Sequence, residues 1–127
     1  MKRLLAAVLV APGLLASAAY AHHSFAMFDQ TKIVTLTGTI RDFQWTNPHI
    51  WIDIVCPVGN GQTQVWGMEG GPPSILEKQG LHSDTLHPGD KVTIKGRPKK
   101  DGTPGGSLMA IMHTDGTPIW TDALMGR

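Results

Sequence analysis

The fold is decided by the stretch IVTLTGTIRDFQW, residues 33–45. From Val34 to Ile40 its apolar positions are even-numbered and alternate with threonines, which is the period of a β-strand that buries one face. After Arg41 the apolar positions become odd-numbered, beginning with Phe43. A strand that changes parity in this way needs a bulge or a bend, and Gly38 offers a place for a sharp coil. The stretch therefore predicts one long, bent strand that pairs with more than one neighbour.

The rest of the chain predicts four shorter strands and one short helix. The strands cover residues 50–56, 62–68, 91–97 and 107–114, and the helix covers 75–79. Three strands, a helix and two strands, led by a long bent strand, is the order of the OB-fold, a five-stranded Greek-key barrel. We therefore expect an all-β domain with one short helix and an OB-like barrel. Another five-stranded roll or sandwich is the alternative.

The first 21 residues have the three-part layout of a secretory signal. A basic MKR at 1–3 precedes an almost uncharged apolar run at 4–15, and AYA at 19–21 gives the small-x-small pattern that signal peptidase accepts. The run is short for a membrane-spanning helix, although an uncleaved anchor is the alternative. We expect cleavage after Ala21 and a single mature domain, residues 22–127, in the bacterial periplasm. No stable membrane insertion is expected after cleavage.

Charge and cysteine content limit the partners of the mature chain. Cleavage would leave nine basic and ten acidic side chains, so no basic track is available for a polyanion. Together with the expected compartment, this balance predicts no nucleic acid partner. The single cysteine, Cys56, leaves no intramolecular disulfide to form. Its strand spacing after Ile52 and Ile54 favours a buried, inert thiol over a metal ligand or redox group.

Three stretches of the sequence, taken together, form a set that is typical of one protein family. They are HHSF at 22–25, WTNPHIW at 45–51 and PGDKVTIKG at 88–96. As a set they resemble an uncharacterised family of short exported bacterial proteins, a domain of unknown function, over essentially the whole mature chain. The resemblance implies export and one compact β domain, and it carries no activity.

A mature chain that begins at His22 would offer two nitrogen ligands to one metal ion, its α-amine and its imidazole. Copper suits such a nitrogen-rich set. A third imidazole would complete the arrangement called a histidine brace, with His49 as the first candidate and His113 as the second. Alternatively, the amide nitrogen and imidazole of His23 would wrap Cu(II) together with the amine. A frayed polar start that binds no metal is the competing interpretation.

A second candidate site combines three tryptophans with one carboxylate: Trp45, Trp51, Trp66 and Glu69. Strands two and three form the usual ligand face of an OB-fold, and aromatic rings there stack on sugars, bases or other flat ligands. Packing in the core or at the rim is the alternative for two of the three rings. Such a face would take a small ligand, a glycan or a protein partner.

Signs of catalysis are few in this sequence. It contains no nucleophile elbow, zinc-protease helix, phosphate loop or paired-cysteine motif. Asp53 and Glu69 would act as an acid pair only if the fold brought them together. The sequence thus favours a non-enzymatic periplasmic copper-binding module that serves as a carrier, buffer or delivery protein. A metal-free ligand- or protein-binding module is the alternative, and a copper oxygenase is the third hypothesis.

Overall fold

The computed structural model describes residues 25–123, which form a closed five-stranded β-barrel with one further strand on its edge. The elements in chain order are β1 (Val34–Gln44), β2 (Trp51–Gly59), β3 (Gln62–Glu69), α1 (Pro73–Lys78), β4 (Lys91–Pro98), β5 (Gly105–His113) and β6 (Pro118–Thr121). Sheet order is β3-β2-β1-β4-β5-β6, and β3 closes the barrel by pairing in parallel with β5. The expected OB-like Greek-key barrel with one short helix is confirmed.

The long first strand serves two neighbours. Its first half, residues 34–39, pairs with β4, and its second half, residues 39–44, pairs with β2. The register with β2 shifts between Ile40 and Asp42, which places a bulge at Arg41. The bulge that the change of parity predicts is therefore confirmed, and it lets one strand turn from one side of the barrel to the other.

Alternating apolar side chains fill the barrel. Ile52 and Ile54 of β2 have no exposed surface, and the same holds for Met68 of β3, Ile94 of β4 and Ile111 of β5. Burying one such side chain contributes about 1.5–3 kcal/mol to the free energy of unfolding. The helix and the loop after it cover the barrel with three further buried leucines, Leu76, Leu81 and Leu86.

The C-terminal edge strand β6 is an element that the alternation did not predict. It is only four residues long and begins with Pro118, so it has too few positions for a periodic signal. It pairs with β5, with Trp120 opposite Ile111. Trp120 is 4% exposed, so this strand adds a large side chain to the core.

No helix within residues 25–123 has the length and the hydropathy that crossing a membrane requires. The predicted signal sequence at residues 1–21 lies outside the described range, so the signal itself, its cleavage and the periplasmic location stay predictions.

Candidate functional site

His49 lies in the loop that joins β1 to β2 and is held from one side. Its Nδ1 is 2.8 Å from the backbone oxygen of Gly70 and 3.4 Å from Oε1 of Glu69. A carbonyl oxygen can only accept, so this hydrogen bond requires a proton on Nδ1. In the neutral ring Nε2 then keeps its lone pair, and the side chain is 35% exposed. His49 therefore has the tautomer and the outward access that a metal-binding imidazole needs.

His113 lies at the other end of the barrel. It closes β5 opposite Val92 and borders a groove of about 500 Å³ that Leu86 and Ile119 also line. Ser107, which pairs with Glu69 beside His49, is six strand residues away. Six residues of strand span about 20 Å, so His49 and His113 belong to two separate places and cannot share one metal ion.

The predicted copper ligands therefore divide between described and undescribed parts of the chain. His22 and His23 lie outside the described residues. Between residues 25 and 123, no three His, Cys, Asp or Glu side chains come together in a group that could hold a metal ion. His49 alone is one ligand, and further nitrogens would have to come from the chain start.

Trp51 lies on the outside of the barrel, over the neighbouring strand β3. A Cβ atom on Gly67 of β3 would come within 2.4 Å of Cζ2 of the indole and within 2.9 Å of Cε2, so the ring covers this glycine. The indole Nε1 donates a hydrogen bond to Oδ1 of Asp53 at 2.9 Å. Arg41, the bulge residue, holds Oδ2 of the same carboxylate at 2.5 Å. The indole is thus fixed from below by β3 and at its edge by Asp53.

The other two predicted tryptophans face the other way. Trp66 stands opposite Ile54 in the sheet, packs against the core and donates from Nε1 to Oε1 of Gln64 at 3.0 Å. Trp45 also packs against the core and meets Phe43 edge-on, with ring centroids 5.7 Å apart. The structure therefore does not bring the three rings to one face. Of the predicted set, it places Trp51 and Glu69 side by side, as register partners.

Sequence reasoning did not find the residues that orient Trp51. Strand spacing puts Asp53 on the face of Trp51, and the chemical role it suggests is half of an acid pair with Glu69. In the structure Asp53 instead lies opposite Gly67 and accepts hydrogen bonds from the indole and from Arg41. The spacing of Trp51 and Asp53, two residues apart in a strand, was the available signal that they share a face.

Within residues 25–123, four groups have displaced pKa values, and none of the four belongs to these sites. Burial raises the pKa of the Cys56 thiol. The pKa of Asp29, Asp101 and Asp115 is lowered in each case by a hydrogen bond from the threonine hydroxyl two residues later, and then by one from that threonine's backbone N–H. These three turns repeat one local motif, with hydroxyl distances of 2.6–2.7 Å.

Comparison with known proteins places the chain in a family. Residues 11–108 match the family of unknown function DUF6152, and the chain belongs to that family. No curated protein matches it. Among solved structures, the mitochondrial single-stranded DNA-binding protein Rim1 of S. cerevisiae is similar, at 13% sequence identity and a TM-score of 0.49. The match covers 63% of this chain and 90% of that one.

The prediction that nucleic acid is not a partner is wrong as it was made. It rested on net charge and an untested compartment, whereas the similar solved structure is that of a single-stranded DNA-binding protein. Net charge is a property of the whole surface, and a single face can differ from it. At this identity the similarity is one of fold, and it assigns no ligand to this chain.

Proposed function

We propose that the mature protein is a non-enzymatic periplasmic module that binds one copper ion through the α-amine and imidazole of His22 together with Nε2 of His49. The observation that carries the proposal is the hydrogen bond between His49 Nδ1 and the Gly70 oxygen. Metal-binding histidines usually donate their second ring N–H to a carbonyl or a carboxylate, which fixes the ring and its tautomer. Glu69, with Oε1 3.4 Å from the same nitrogen, strengthens this support.

The distance from the described start of the chain to His49 determines where the residues before Phe25 must run. Phe28 bridges to Lys99, Lys99 bonds to Gly105, and Gly105 pairs with Gly67 of β3. Three strand spacings, about 14 Å, thus separate Phe28 from the strand that ends beside His49. Phe25 makes a turn with Phe28, and the three residues before Phe25 add a reach of about 10 Å. The proposal therefore requires these residues to run toward β3.

The test begins with the identity of the first residue. Mass spectrometry of the protein from the periplasmic fraction should give a chain that starts at His22. Cu(II) is then titrated into that chain, with electron paramagnetic resonance as the readout, and into a version with four extra N-terminal residues, Gly-Ser-Gly-Ser. This extension keeps both histidines out of the second and third positions, where a histidine would chelate Cu(II) together with the new amine. We expect one-to-one binding and a nitrogen-rich signal from the mature chain, and the extension should abolish the tight binding.

His49→Asn removes the proposed ligand atom Nε2 but keeps a donor toward Gly70, because the Asn amide can still donate to the Gly70 oxygen. Loss of an outer partner typically lowers metal affinity by about 10- to 100-fold, and loss of a ligand should cost at least as much. His82→Asn, in an exposed loop, is the matched control and should bind copper like the wild type. Equal binding by the extended chain would contradict the proposal. Oxygen consumption with a reductant would point to the oxygenase instead.

A further inference from the structure

Independently of the copper proposal, we infer that the outer face around Trp51 binds an uncharged saccharide. This Trp51 face consists of Trp51, Asp53, Arg41, Asp42, Gln44 and Glu69. On this part of the β1–β2–β3 surface one aromatic ring has polar side chains as its neighbours in the sheet.

The ring is oriented before any ligand arrives. The backbone of β3 at Gly67 supports it from below, and the bond to Asp53 fixes its rotation. Asp53 is itself held by Arg41 and is only 17% exposed. A binding group that is already ordered loses little conformational entropy when it binds.

Hydrogen-bonding groups surround the ring in the plane of the sheet. Gln44 of β1 and Glu69 of β3 are the register partners of Trp51 on its two sides. Asp42 stands opposite Asp53 and accepts a bond from Gln44 Nε2 at 2.8 Å. A sugar ring has an apolar C–H face and an equatorial rim of hydroxyls. Stacking on the indole would therefore place those hydroxyls near carboxylate and amide groups, which accept and donate.

The charges favour an uncharged ligand over a polyanion. The face carries three carboxylates, and its one guanidinium already binds Asp53. Lys99 lies at its border, with its stem over Gly105, next to Gly67. A chain of phosphates would have to approach Asp42, Asp53 and Glu69 with only these two cations for compensation. Uncharged hydroxyls meet no such repulsion.

The test uses the mature chain with the same four extra N-terminal residues, in the presence of a chelator, so that a failure of copper binding has no effect on it. Isothermal titration with uncharged hexasaccharides of glucose, xylose, mannose and N-acetylglucosamine should show binding of at least one. Trp51→Ala should weaken it by at least about 5-fold, the lower end of the range for a nucleobase stacked on an aromatic side chain. Trp51→Phe, which keeps a ring, should retain part of the affinity.

Gly67→Ala tests the orientation of the ring without removing it, because the new methyl would displace the indole. Its matched control is Gly71→Ala, where the nearest atom to the new methyl is 3.6 Å away. We expect the first to weaken saccharide binding and the second to leave it unchanged. Binding of none of the sugars, or equal binding by Trp51→Ala, would overturn the inference. Preferential binding of single-stranded oligo(dT) that depends on Trp51 would overturn it too, and would assign the face to nucleic acid.

Discussion

Gly38→Ala should destabilise the barrel at the place where β1 passes from one neighbour to the other. A Cβ atom on Gly38 would lie 2.2 Å from the backbone oxygen of Val55 and 2.9 Å from its carbonyl carbon, closer than Cβ atoms are found. The backbone of β1 or β2 would have to move by roughly 1 Å, and overpacking of this kind costs about 1–3 kcal/mol. The contact is with backbone, which places the cost near the upper end. Alanine also restricts the unfolded chain, which offsets about 0.4–1 kcal/mol.

The net loss is about 2 kcal/mol, which corresponds to a fall in Tm of about 8–16 °C for a domain of this size. Thermal unfolding followed by circular dichroism, with urea unfolding to check that the m value is unchanged, measures it directly. Gly71→Ala is again the control and should stay within about 0.5 kcal/mol of the wild type. If Gly38→Ala melted within 3 °C of the wild type, a change below about 1 kcal/mol, the close approach of the two strands would be refuted.

Three other predictions concern single groups. Thr103→Val should destabilise the protein at pH 7, because the pKa of Asp101 is lower in the folded state than its ordinary 3.8. The difference from the wild type should begin to shrink as pH falls through 3.8 and should be lost as pH passes through the lower folded pKa; urea unfolding at a series of pH values measures it, and a difference that stays constant down to about pH 2 would contradict this. Cys56 should react with a thiol reagent much more slowly in the native protein than in urea, since the thiol is 6% exposed and its pKa is raised; equal rates would show that the thiol is accessible. Trp120→Phe should change the free energy of unfolding by less than about 1.5 kcal/mol, because the buried Nε1 has no hydrogen-bond partner among residues 25–123. Trp120→Ala should cost about 3–5 kcal/mol, because it removes the whole ring from the core. Calorimetry of the two variants measures both, and a large loss in Trp120→Phe would show that Nε1 does have a partner.

The barrel could be predicted from the sequence because the sequence patterns of its strands are local and agree with each other. The parity change in residues 33–45 predicted the bulge, and isoleucine alternation in β2 predicted the buried face. β6 could not be predicted, because a four-residue strand that starts with Pro118 shows almost no periodicity. Its pairing depends on the edge that β5 offers, which is a property of the folded sheet.

The candidate sites could be predicted from the sequence only in part. Trp51 could be assigned to the outer face from its spacing to the isoleucines, but β3 has apolar residues at both parities, Val65 as well as Trp66 and Met68. Which side chains of β3 face the core therefore depended on the register of β3 with β2, and a sequence pattern of this kind does not fix that register. The bond between His49 and Gly70 joins residues 21 positions apart, and it required the completed barrel.

The two ends of the described chain dock at different places on the β4–β5 hairpin. Phe28 pairs with Lys99 near its tip, whereas Trp120 pairs with Ile111, six strand residues, or about 20 Å, beyond Gly105. An affinity tag or a surface tether therefore belongs at the C-terminus. A tag there leaves the N-terminal amine free, whereas the same tag at the other end would cap that amine.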